Sequence, residues 1–348
     1  MSWEQVKALA DTRGGAYSLL AMRGGEVVAE HRRGVGPDAL FYCFSVTKPV
    51  TAMAIHLLAE RGQLDLDEPV ASYWPGYGQH GKQAITVRHV LTHRAGVPAS
   101  LGNPGLDMAV MTNWDRSVAL AARARPRYPA GKVVAYHVVA FGFILGELIH
   151  RVTGRTISQF VQEEFFEPLK MDARLTLPAS ELKRAVRVRG KGGNFVSPAF
   201  LNRLAARQAV VPAASMQTTA RSLARFYQML LDGGVTAAGR RIVSEQSIAN
   251  ALAVSADGEV DRILHQRQRY GQGFQLGGLP GVVRGIGTRS PASAFGHNGS
   301  AVCNAWAEPE RGLIFIYLSN TAEMIRPGLR FAAQLSDAAW AAFNAERG

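Results

Sequence analysis

Ser45-Val46-Thr47-Lys48 places a hydroxyl and an amine three residues apart, a spacing that on a helix sets both side chains on one face, one turn from each other. Covalent catalysis needs such a pair: an oxygen that attacks and a neighbouring nitrogen that manages its proton. The spacing alone is weak, because Ser180-Glu181-Leu182-Lys183 repeats it. Context separates the two. Ser45 follows the largely apolar Phe41-Tyr42-Cys43-Phe44 and leads into Ala52, Ile55, Leu58 and Ala59 at helical intervals. That pattern predicts a hydroxyl at the N-terminus of a buried helix, where the positive end of the dipole favours a developing oxyanion. Ser180 precedes polar Glu181 at the edge of a basic run and reads as a helix N-cap, a role that Ser45 taken by itself could also fill.

Other residue types with chemical potential have duller explanations. His89 and His93 stand four apart like a zinc pair, but no acidic or third ligand accompanies them, so the expectation is a structural role and no metal. Gly271-Gln272-Gly273 lacks a following phosphate-binding helix and reads as a strand bend. Cys43, two residues before Ser45, reads as buried filler rather than a nucleophile. Trp114 either lines a pocket or packs in the core.

The elements that must position Ser45 can be read in outline. Tyr17 to Arg23 and Val27 to His31 are strand-like, and Gly24-Gly25 supplies the positive φ of a tight turn, so a sheet is expected to begin near the N-terminus. A helix is expected from Ser45 to Arg61, with Pro49 tolerated in its first turn and Gly62 as its stop. Further helices are read over Thr86 to His93, Ala135 to Arg151, Ser158 to Phe166 and Ala220 to Leu231. Tyr270 to Leu276, Ser300 to Trp306 and Leu313 to Ser319 read as strands, and Pro327 to Glu346 as a closing helix. Tyr136 thus begins an apolar helix, and His297-Asn298-Gly299 precedes a strand. Strands at both ends around a helical middle predict an α/β (α+β) chain. Its sheet domain is built from 1–75 and 211–348, a mostly helical domain is inserted over 76–210, and a cleft lies at their junction.

Composition narrows the class. The chain has 348 residues, 47% of them hydrophobic and 19% charged, with no repeat or low-complexity tract, which predicts a globular protein with a sizeable core. Two cysteines, Cys43 and Cys303, are too few for a disulfide framework. The net charge of +12 comes from arginines spread along the chain. The densest run, Lys183, Arg184, Arg187, Arg189 and Lys191, reads as a solvated loop rather than a nucleic-acid arm. The first residues, Met1 to Asp11, show no basic segment leading into an apolar one, and no stretch is long enough to span a bilayer. The expectation is a cytoplasmic protein without membrane or nucleic-acid partners.

Taken together, Ser45 to Lys48, Tyr136-His137-Val138 and His297-Asn298-Gly299 resemble, in order and spacing, the three motifs of the penicillin-recognising serine hydrolases. These are the superfamily of class C β-lactamases, D-alanyl-D-alanine carboxypeptidases and family VIII esterases. The segments Ile85 to Gly96, Leu145 to Gly154 and Thr219 to Phe226 also look familial, so the resemblance covers nearly the whole chain. It implies a β-lactamase/transpeptidase-like fold, an antiparallel sheet flanked by helices, and an acyl-enzyme on Ser45. Lys48 and Tyr136 would share protons; resemblance to class C enzymes favours Tyr136 as base with Lys48 lowering its pKa, and Lys48 itself stays open. The backbone N–H groups of Ser45 and Ser300 would form the oxyanion hole, and a β-carbon at Gly299 would crowd the acyl group.

Departures from the lactamase pattern bear on substrate. Val138 stands where the lactamases carry an amide-binding asparagine, and His297 replaces the third-motif lysine, removing a fixed charge that would meet a carboxylate. The substrate-binding set is then His297, Asn298, Gly299, Val138 and Trp114, and the substrate a small neutral ester or amide, with no cofactor. A carboxylesterase is the first reading and an acyltransferase or amide synthase, using the same acyl-enzyme, the alternative. A β-lactamase, a D-amino-acid peptidase or a catalytically silent binding protein fits less well.

Overall fold

The computed structural model describes residues 1–192 and 198–345. Helix α1 (Trp3–Thr12) opens the chain, ahead of the sheet that was expected to begin it, and is capped by Ser2, whose side chain accepts from the Gln5 amide. The hairpin β1 (Tyr17–Arg23) and β2 (Glu26–Arg33) follows, turning at Gly24 and Gly25, both at positive φ. Helices come next: α2 (Lys48–Glu60), α3 (Val87–Leu91), α4 (Trp114–Arg123), α5 (Ala140–Thr153) and α6 (Ala220–Leu231). The chain then returns to strands β3 (Ala256–Asp261), β4 (Gln266–Tyr270), β5 (Gln275–Leu276), β6 (Phe295–Gly299), β7 (Cys303–Glu308) and β8 (Leu313–Ser319), and runs out along α7 (Ile325–Ala345). Residue 346, assigned from sequence to the closing helix, lies outside the described residues.

The strands form one antiparallel sheet in the order β2-β1-β8-β7-β6-β5-β4-β3. Every residue of β8 is buried, because the sheet is covered on both faces and a doubly covered strand reads as a continuous apolar run. Ile314, Ile316 and Leu318 join the large core shared with α2, α5 and α6, while Leu313, Phe315 and Tyr317 join a second core under α1 and α7. Removing one such side chain, as in Phe315→Ala, would destabilise by about 3–5 kcal/mol.

Several sequence expectations shift by a few residues, each for a physical reason. The Ser45 segment is a 3-10 turn over Phe44–Thr47 that feeds α2, so Ser45 precedes the α-helix instead of beginning it. The helix expected from Ala135 starts at Ala140, because the amides before it are bound elsewhere: that of Ala135 by the His93 carbonyl and that of His137 by His93 Nδ1. Tyr136 therefore sits on an extended segment. His297-Asn298-Gly299 forms the end of β6, and Ser300 lies in the turn before β7. The run Tyr270 to Leu276 is interrupted where the Gly271 amide bonds to the Phe274 carbonyl, so the glycines mark a break between β4 and β5. His93 has left α3 and adopts φ 58, which removes the one-face spacing it was given with His89. Ser180 falls inside a 3-10 turn, Ala179–Arg184, preceded by Pro178, and caps nothing. Among the described residues no helix is long and apolar enough to cross a membrane.

Candidate active site

Ser45 is held from behind by the sheet. β6 runs so close to its turn that a Cβ on Gly299 would stand 2.3 Å from the Cys43 carbonyl oxygen. Backbone approach alone therefore requires glycine there, whatever an acyl group would add. Phe44, immediately before Ser45, has φ 51, a strained conformation for a bulky residue, of order 1–3 kcal/mol. The Thr47 hydroxyl accepts from the Met216 amide, and the Cys43 amide donates to Met216 O, fixing the turn on both sides.

Lys48 is wholly buried one turn on. Its Nζ lies 3.2 Å from Ser45 Oγ, 2.8 Å from Val138 O and 3.3 Å from Ala213 O, and 4.6 Å from the centroid of the Tyr136 ring. Burial pushes its pKa well below the usual lysine value. A neutral amine has two protons and one lone pair. Those protons match the two carbonyls, leaving the lone pair for the Ser45 hydroxyl. Tyr136 also hydrogen-bonds Ser45, and burial drives its phenol up, against ionisation. The two directions favour an amine base beside a phenol that keeps its proton, the reverse of what a phenolate base requires.

Ser300 and Ala301 occupy the turn after β6 at φ 51 and φ 57, closed by a Val302 amide to Gly299 carbonyl bond of 2.8 Å. The Ser300 amide has no partner among the described residues. Both Ser45 and Ser300 line a cleft of about 630 Å³. One wall is apolar, with Met108, Met111, Val138, Val139 and Leu201. Val138 thus lines the cleft, and its carbonyl binds Lys48. His297 is buried beside Tyr136, ring centroids 6.1 Å apart; Nδ1 bonds to the Asn298 carbonyl, and burial pushes its pKa down to about 3. It adds no charge. Asn298 lines the cleft, its Oδ1 accepting from the Ala301 amide at 2.9 Å. Trp114 does not line the cleft: its ring packs on Phe143, centroids 5.5 Å apart, and leaves no room for a Cβ on Gly146.

Two residues escaped the sequence reading. Asp261, wholly buried at the end of β3, accepts from the amides of Tyr136, Ile263 and Leu264, so it anchors the extended segment that carries the phenol. Arg284, 2% exposed, lines the cleft; Nη1 donates to Leu276 O at 2.6 Å, while Nε and Nη2 have no partner among the described residues. A buried guanidinium without an anion is costly, and burial pushes its pKa down to about 10. Gln268 Oε1 and Asn298 Nδ2, also on cleft residues, are likewise unpartnered there. No local spacing signals Asp261, Arg284 or Gln268. The fixed charge that His297 does not provide is present from another element.

Elsewhere, the basic run is solvated and partly neutralised. Arg184 pairs with Asp172, Glu181 and Asp38, and Lys191 approaches Glu323.

Comparison with known proteins bears on the family and the fold. The Beta-lactamase family model matches residues 5–338. The esterase/beta-lactamase LipL of Mycobacterium tuberculosis is 32% identical over 312 residues, covering 81% of this chain and 70% of that protein. A penicillin-binding protein homologue from Caulobacter crescentus superposes with TM-score 0.82 at 29% identity, over 98% of this chain and 97% of the other. A family VIII carboxylesterase does so with TM-score 0.81 at 27% identity, over 95% and 96%.

Proposed function

We propose, from the premise that the chain belongs to the beta-lactamase family and is a serine hydrolase of that fold, that it acts as a carboxylesterase with Ser45 as nucleophile. The observation that carries this reading is the contact of Ser45 Oγ, which lines a largely apolar cleft, with a buried, charge-suppressed Lys48 behind it. Lys48 Nζ takes the Ser45 proton as Oγ bonds to the ester carbonyl carbon. The oxyanion is met by the amides of Ser45 and Ser300. The Tyr136 hydroxyl relays the proton to the departing alkoxide as the C–O bond breaks. Water, deprotonated along the same route, then releases the acid and frees Ser45.

Arg284 refines the substrate. A neutral acyl group suits Met108, Met111 and Leu201, while Arg284 brings a fixed positive charge to the cleft that an anionic group elsewhere in the ester would meet. An anion-bearing ester thereby joins the neutral ester or amide expected from the sequence as a substrate to be tested. Measuring kcat/KM on p-nitrophenyl butyrate, on a carboxylate-bearing ester and on nitrocefin tests the reading. Both esters should exceed nitrocefin by at least about tenfold, and Ser45→Ala should abolish ester turnover. Nitrocefin hydrolysis equal to that of the esters would reject an esterase. Acyl transfer to added alcohols or amines exceeding release of free acid would favour the acyltransferase.

A further inference from the structure

The turn that presents the Ser300 amide is built from residues unsuited to it. Two successive left-handed residues make a hairpin turn of the primed kind, which favours Asn-Gly or Gly-Gly, whereas this one is Ser300-Ala301. Ala301 has a Cβ and no side-chain hydrogen bond to offset the conformation. Its peptide is held from three directions. Asn298 Oδ1 accepts from its amide, and Gly328 of α7 leaves room for its Cβ, 3.1 Å from where a Cβ on Gly328 would stand. The third is Arg13, at the C-terminal cap of α1, whose Nη2 donates to Ala301 O at 2.6 Å.

Arg13 is an unusual group in that place. It is 3% exposed, its guanidinium lies 4.8 Å from the centroid of the Phe331 ring, and Nε and Nη1 have no partner among the described residues. The Ala301 carbonyl is therefore the hydrogen-bond acceptor that aims this buried cation. We propose that Arg13 is a positioning residue for acyl transfer: by clamping the Ala301 carbonyl it holds Ser300-Ala301 in the left-handed turn that directs the Ser300 amide into the cleft. The inference rests on the reading of Ser45 as nucleophile and Ser300 as oxyanion donor. Arg13 belongs to a helix on the far face of the sheet and touches no reacting atom. Its effect falls on the transition state, where a misplaced donor is felt, and little on ground-state binding.

The experiment compares wild type, Arg13→Gln, Arg13→Lys, and Arg13→Gln combined with Ala301→Gly, using p-nitrophenyl butyrate kinetics, thermal melts and mass labelling with a fluorophosphonate. Arg13→Gln should lower kcat by about 10- to 100-fold with KM within about threefold. Arg13→Lys should fall between it and wild type. Adding Ala301→Gly should recover at least about fivefold in kcat, because glycine takes the left-handed conformation without a clamp; a role confined to packing would not be rescued this way. The proposal is overturned by kcat within twofold of wild type in folded Arg13→Gln, or by a deficit that Ala301→Gly leaves unchanged. Should Arg13→Gln not fold, an unchanged kcat in Arg13→Lys overturns it. Wild type that takes no label on Ser45 would remove the underlying reading and this inference together, whereas normal labelling with an unaffected Arg13 variant removes the inference alone.

Discussion

Two lysines in this molecule are wholly buried, and both donate to a pair of backbone carbonyls. Lys48 meets Val138 O and Ala213 O; Lys82 meets Ala122 O and Ala124 O at 2.8 and 2.6 Å, with Nζ 5.0 Å from the centroid of the Tyr77 ring. Their settings differ in sign. Lys48 is the first residue of α2, where the partial positive charge of the helix N-terminus opposes an ammonium, while Lys82 binds the last carbonyls of α4, where the negative end welcomes one. Burial brings Lys82 down to about 8 and holds Lys48 well below the usual lysine value. Burial and carbonyl contacts therefore do not mark a base. A dipole that disfavours the charge does, together with a third partner, Ser45 Oγ, open to the cleft.

Substitution to methionine, which keeps volume and removes the amine, should split the pair. Lys48→Met should lower kcat by about 10³-fold or more, read with p-nitrophenyl butyrate on protein shown to be folded by its melt; activity within tenfold of wild type would transfer the base to Tyr136. Tyr136→Phe should cost about 10² in kcat with KM little changed. A drop as large as that of Lys48→Met would make the two an inseparable unit. Lys82→Met should leave kcat within about twofold while two carbonyls lose their donor, lowering unfolding free energy by about 1–3 kcal/mol in urea titration. Loss of activity in a stable Lys82→Met protein would break the contrast.

The smallest effect concerns the imidazoles behind Lys48. Burial holds His137 and His297 near 3, below the value of about 6.5 they would have in the unfolded chain. As pH falls below 6.5 the unfolded chain takes up the protons first, so stability is full above that value and is lost progressively toward pH 3. His137→Phe should flatten the slope of unfolding free energy between pH 6 and 4 by up to about 1.4 kcal/mol per unit. An unchanged slope would mean that His137 is not held neutral.

Ser45 and Lys48 were legible because they are neighbours in sequence and their helix has a strong apolar period. Strand Leu313–Ser319 was legible to the residue, since six apolar residues in a row closed by Ser319 fit a strand covered on both faces. Tyr136 was found by type and spacing, yet its helix was misplaced: the amides of residues 135 to 137 are captured by His93 and Asp261, partners that no local window contains. Arg284 and Arg13 were invisible for the same reason. Each matters through one contact made across the fold, and the sequence around it is ordinary.

The sheet order carries a consequence for how the molecule assembles. β1 pairs with β8 so that Tyr17 lies opposite Ser319, and Ser45 and Ser300 also come together from remote stretches of chain. Closing such a distance is entropically unfavourable and is repaid only when the central strand docks. Hairpins and helices can form early, but the two oxyanion amides cannot converge until the last strands are in place. During refolding, catalytic competence should therefore trail the recovery of secondary structure, making turnover a late reporter of completed topology.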